Sequence, residues 1–167
     1  MTKEVELAVR TALAVFLSMA ALVDDCRRYR ISNKIVITGF MLQLVLLGIT
    51  MAEGRAWGTY VYGGLVSFAI MTVIYMIGGV GAGDVKLLGV LGACLGFKGG
   101  LFLVTGSLCV GVVTGGMEML WKGCRRTEVA VLGERTLKLH SFHYTIAITI
   151  TLFLIVLCYW GGVMERA

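Results

Sequence analysis

The sequence predicts an all-α, polytopic membrane protein with about six transmembrane helices, and three observations carry that prediction. Of its 167 residues, 58% are hydrophobic and only 15% are charged, a mixture far from that of a water-soluble domain. Asp, Glu, Lys and Arg are absent from residues 35–52, 56–83 and 139–164, and each run is long enough to cross the ~30 Å hydrocarbon core of a bilayer. These runs lack the alternation of a barrel strand. Lipid offers no partner to open backbone, so the helix is the spanning form that remains.

The predicted spans are residues 5–23, 35–52, 59–78, 85–97, 101–120 and 141–162. The first carries an apolar run from Thr11 to Met19, with Ser18, Ala20 and Ala21 near its end, much as a cleaved signal peptide would. Glu4 and Glu6 spoil a basic leading end, and the charges that follow mark an anchor that stays. The second, third and sixth spans lie in the charge-free runs. The fourth is short: its 13 residues cover only ~20 Å, so it must be extended, tilted or shielded by protein. Proline is absent and glycine numbers 23, which leaves close helix contact to small residues such as Gly92-xxx-Gly96 and Gly96-xxx-Gly100. Trp57, Tyr60, Tyr62, Trp121, Tyr159 and Trp160 fall near span ends and read as interface anchors. The spans leave almost no chain for a soluble unit, so residues 1–167 read as a single integral-membrane domain.

The charges orient the spans. Ten of the 15 basic residues fall in loops on one side: Arg27, Arg28, Arg30, Lys34, Lys86, Lys122, Arg125, Arg126, Arg135 and Lys138. The positive-inside rule makes that side cytoplasmic and puts both chain ends outside, in a multi-pass protein of the cytoplasmic membrane. The same clusters suit anionic lipid headgroups. A nucleic-acid partner is not expected, because there is no soluble basic face or recognition module. Cys26, Cys94, Cys109, Cys124 and Cys158 are scattered, with no Cys-x-x-Cys pair and no His at ligand spacing, so no metal, cofactor or disulfide framework is expected. Most read as small apolar fillers.

Three of the few acids gather where spans meet the cytoplasmic side: Asp24 and Asp25 after span 1, and Asp84 before span 4. An acid beside a membrane span is costly and is a functional candidate by default. Asp84 follows Gly78-Gly79-Val80-Gly81-Ala82-Gly83 and precedes the apolar Val85–Leu91. It therefore sits at a helix start, behind a loop whose glycines, Gly81 and Gly83 among them, let another backbone approach. A capped helix after a turn explains the same residues structurally. Two carboxylates at one depth also suit an aspartic dyad, in which one acid stays protonated while the other activates water against a peptide carbonyl. The roles exchange as the intermediate collapses, and the proton belongs to the pair.

The run Gly81-Ala82-Gly83-Asp84-Val85-Lys86-Leu87-Leu88 resembles the GxGDxKLL signature of the type IV prepilin peptidases. Asp25-Cys26-Arg27-Arg28-Tyr29-Arg30-Ile31-Ser32-Asn33 resembles that family's Asp, five residues, then Ile-Pro-Asn, with Ser32 in place of Pro. The spacing to Asn33 selects Asp25 over Asp24 as the first catalytic aspartate, with Asp24 as the alternative. The last span opens with Phe142-His143-Tyr144 where many members carry a Pro-containing motif. The resemblance implies a six-span intramembrane aspartyl endopeptidase of the short form found in tight-adherence pilus and archaeal systems. Its implied partner is a prepilin-like precursor, whose basic leader is cut at the cytoplasmic face. The N-methylating activity and paired-cysteine segment of larger members are not implied.

Lys86 is a candidate for biasing the dyad or pairing with a substrate acid, beside its plainer reading as a snorkelling lysine. Glu128 and Glu134 lie in the loop that would meet a basic leader, and read first as solvated loop charges. His140 and His143 read as interfacial residues. The competing class is a small transporter or channel subunit using Asp25 and Asp84 as ion or proton sites; it calls for acids at mid-bilayer and an internal repeat, and neither is seen. Nothing in the sequence specifies an oligomeric state.

Overall fold

The computed structural model describes residues 3–28, 31–54, 56–77, 80–123 and 144–160. Glu128, Glu134, His140 and His143 lie outside them, as do Cys124 and most of the basic loop that follows it. The described residues form five helices: α1 (Lys3–Arg28), α2 (Asn33–Ala52), α3 (Gly58–Met76), α4 (Ala82–Gly123) and α5 (Tyr144–Trp160). Segments of α1 to α4 are long and apolar enough to cross a membrane, whereas α5 is a shorter apolar helix. The described residues are therefore all-helical, and the expected count of about six spans is not confirmed by them.

The difference lies in α4. It takes in both the fourth and fifth expected spans, and the three residues between them are helical. Gly96, at φ 77° and ψ −177°, interrupts the helix. A side chain resists that conformation, so the break falls on a residue without one. A Cβ built on Gly100 would lie 3.2 Å from the Cα of Gly92, although eight steps along a straight helix cover ~12 Å. Neighbouring residues of α5 touch both arms: Tyr144 reaches Ser107 while Thr145 reaches Asp84. A straight helix would hold Ser107 and Asp84 ~35 Å apart. The two arms, 82–95 and 97–123, thus lie side by side, folded back at Gly96. The small-residue spacing expected to pack one span on another contains, at its centre, the residue that turns the chain.

Helix α3 closes on that fold. A Cβ at Gly92 would run into Ser67 Oγ and come within 2.7 Å of the Gly63 carbonyl, and one at Gly64 would lie 2.9 Å from the Ala93 Cβ. Backbone approach this close requires small residues on both sides. α4 contacts α1, α2, α3 and α5 and supplies much of the core: Leu87, Leu88, Leu91 and Leu103 are fully covered, together with Ala14, Met71 and Ile148 from other helices. α2 instead turns Ile37, Phe40, Met41, Val45 and Ile49 outward, as suits a lipid-facing helix that is apolar all round. An apolar groove of about 650 Å³ runs between α2 and α3 over the first arm of α4.

A charged pair buried at the start of α1 has no counterpart in the sequence reading. Arg10 is 0% exposed and Glu6 5%. The Arg10 Nε donates to Glu6 Oε1 at 3.1 Å, and its Nη2 donates to Thr50 Oγ1 at 2.7 Å and to the Leu46 carbonyl at 3.2 Å. The guanidinium lies 3.7 Å from the centre of the Tyr60 ring. Arg10, one of the five basic residues that the charge division leaves on the outer side, and Tyr60, expected as an interface anchor, together join α1, α2 and α3 inside the protein. Gln43 ties α2 to α4 in a similar way, donating to the Ala93 carbonyl.

Candidate active site

Helix α1 runs on to Arg28, so Asp24 and Asp25 lie within its last turns. Consecutive helical residues point ~100° apart, and the two acids have different surroundings. Asp24 turns to the α1–α2 connection, where its Oδ2 accepts the Ser32 amide at 2.8 Å. Ser32 precedes the first residue of α2 and makes no side-chain cap of its own. Asp24 thereby serves one of the free amides that every helix start exposes. Asp25, one position on in the same last turns of α1, lies within electrostatic range of the Asp84 carboxylate.

Asp84 is the third residue of α4. The Val85 amide bonds the Gly81 carbonyl at 3.3 Å, which makes Gly81 the residue from which the helix winds. Asp84 is partly buried, and its two oxygens have separate environments. Oδ1 accepts a hydrogen bond from Thr145 Oγ1 at 3.0 Å. Oδ2 lies beside Gly81, 3.1 Å from where a Cβ on that residue would stand. The glycine puts no side chain against this oxygen, and its backbone N–H serves the same carboxylate.

Gly83 has a different job. A Cβ there would sit 3.2 Å from the Cβ of Ile31, so its bare face packs against the α1–α2 connection. Lys86, two positions beyond Asp84, points to the other side of α4. Its Nζ lies 3.5 Å from Asn33 Oδ1, and it borders the groove with Val36, Phe40 and Gly89. The structure thus gathers Asp25, Asp84 and Gly81 at one end of the bundle, and turns Asp24, Gly83 and Lys86 towards the connection and the start of α2.

Thr145 was missed by the sequence reading. It is 1% exposed and lies 61 positions beyond the acid it touches. A threonine in an apolar span carries no signal of its own; only the packing of α5 on α4 brings the two together. Chemically, a carboxylate held by a hydroxyl beside a glycine, with a second acid within electrostatic range, is suited to exchanging protons with water.

The fold and the apolar helices define a membrane protein. The profile of the type IV leader peptidase family matches residues 11–116, well over half the chain, and the chain belongs to that family. Membership implies a peptidase. The matched segment holds both aspartates and all of α2 and α3, and ends before α5. No curated protein and no solved structure gives a significant match.

Proposed function

We propose that the protein is an intramembrane aspartyl endopeptidase that removes the basic leader of a prepilin-like precursor at the cytoplasmic membrane face, with Asp25 and Asp84 as its catalytic pair. The observation that carries this reading is the partly buried Asp84 carboxylate at the start of α4, held by Thr145 beside Gly81, in a chain that belongs to the leader peptidase family. One carboxylate takes a proton from water as the water attacks the scissile carbonyl; the other, protonated, donates to the carbonyl oxygen. Collapse of the tetrahedral intermediate returns a proton to the leaving amine. Asp24 is disfavoured for this work because its Oδ2 already serves the Ser32 amide.

The charge-free runs and the ten-to-five division of basic residues support a cytoplasmic site, with both termini outside. The reading includes no methyl transfer. Its test is coexpression with candidate prepilins, followed by gel mobility and N-terminal sequencing of the product. A shortened pilin cut after its basic leader, absent with Asp84→Asn, is the expected result; an unprocessed precursor with every candidate would overturn it.

A further inference from the structure

We propose that Thr145 is a positioning residue for Asp84: its hydroxyl holds Oδ1 and so fixes the rotation of the carboxylate, whose Oδ2 lies beside Gly81. The inference rests on the aspartyl reading above and adds the contact that orients one of its two carboxylates.

Five other threonines of the helices spend their hydroxyls locally. Thr38, Thr72, Thr105, Thr114 and Thr149 each donate to the carbonyl four residues back, at 2.7 to 2.9 Å, the usual outlet for a helical threonine in apolar surroundings. Thr145, in the first turn of α5, instead reaches across to another helix and donates to Asp84 Oδ1 at 3.0 Å. Its neighbour fixes the place from which it does so. The Tyr144 hydroxyl lies 3.0 Å from Ser107 Oγ on the second arm of α4, and its ring fills the space over Gly111, where a Cβ would stand 2.7 Å from Cε2. The start of α5 is thus pinned to one arm of α4 while Thr145 reaches the acid on the other arm.

A free aspartate carboxylate turns readily about its last torsion, which would present either oxygen, at varying angles, to the reacting water. A donor fixed on Oδ1 removes that freedom, and a misplacement of about 1 Å in a reacting group is enough to cost on the order of 100-fold in rate. Thr145 lies outside the segment matched to the peptidase family, so the assignment stands on this chain's own geometry.

The test compares Thr145→Val, Thr145→Ser and Asp84→Asn as purified, monodisperse full-length proteins, with steady-state cleavage of one pilin precursor as the readout. Valine keeps the shape and removes the donor. It should lower kcat by about 10- to 100-fold, the worth of a hydrogen bond to a charged group, and leave KM within about 2-fold, since substrate contacts are untouched. Serine restores the donor and should recover kcat to within about 3-fold of wild type. Wild-type kcat in Thr145→Val beside an inactive Asp84→Asn would overturn the assignment. So would an equal fall in Thr145→Ser, which would make the methyl group, and hence packing, the cause. If valine is not recovered folded, Thr145→Cys, similar in size and a poor donor, replaces it with the same expectation. Cleavage by Asp84→Asn would instead defeat the aspartyl reading itself.

Discussion

Replacing Arg10 with methionine separates the cost of an orphaned buried charge from the cost of losing a side chain. The guanidinium is 0% exposed, donates to Glu6, Thr50 and the Leu46 carbonyl and lies over Tyr60. Methionine fills much of the same volume and takes the guanidinium away from the Glu6 carboxylate, which is 5% exposed and keeps Thr50 Oγ1 at 2.8 Å. Breaking a buried ion pair on one side costs about 3–5 kcal/mol, which at ~2–4 °C per kcal/mol for a chain of this size lowers Tm by on the order of 10 °C. Removing both charges is different: Glu6→Leu with Arg10→Met leaves no buried charge, and such replacements are often neutral or stabilising. The double variant should therefore melt several degrees above the single one. Thermal unfolding of the four corners of this cycle in one detergent, followed by intrinsic fluorescence, measures the coupling. Cleavage per folded molecule should stay near wild type in all four, because Arg10 lies 15 positions before Asp25 on α1, ~22 Å along the helix. A melting point for Arg10→Met within ~2 °C of wild type, or a double variant no better than the single one, would refute the claim that the pair is buried and coupled.

Other substitutions test the site and the helix crossing. Asp25→Asn and Asp84→Asn should each abolish processing with insertion intact, whereas Asp24→Asn, whose amide oxygen still accepts the Ser32 N–H, should keep activity, and Asp24→Ala should keep activity but lose about 1 kcal/mol of stability with its hold on the Ser32 amide; a processing assay beside thermal melts separates the outcomes. Gly81→Ala places a methyl 3.1 Å from Asp84 Oδ2 and should lower kcat about tenfold at normal protein levels, while Gly83→Leu, pressing on Ile31, should chiefly lower the yield of folded protein. Gly92→Leu should do so more severely, since its side chain has to enter the space of Ser67 and the Gly63 carbonyl, an overpacking of about 3 kcal/mol or more. Reporter fusions should place residues 122–138 in the cytoplasm and the C-terminus outside; a cytoplasmic C-terminus would refute the expected topology.

What the sequence determined by itself is what depends on composition and local order. Apolar runs without charges must be helices if they meet lipid, because their backbone has no other partner, and α2 and α3 fall within a few residues of their expected bounds. Asp84 behind its glycines had to stand at a helix start, since such a run resists winding. The tertiary structure decided the rest. Gly96 looked like one small residue among many in a packing motif; it became the point where α4 folds back because only a glycine accepts that φ, and a hydropathy pattern carries no record of dihedral angles. Arg10 and Glu6 read as a boundary charge and a flaw in a leader, because the partners that make their burial tolerable, Thr50 and Tyr60, come from α2 and α3. The choice between Asp24 and Asp25 rested on a spacing; structurally the two part because ~100° of helical rotation gives Asp24 the Ser32 amide and Asp25 other surroundings. Thr145 was invisible for the same reason: its part arises from a contact 61 positions away in the chain, and a hydroxyl in an apolar span acquires meaning only from the group it is packed against.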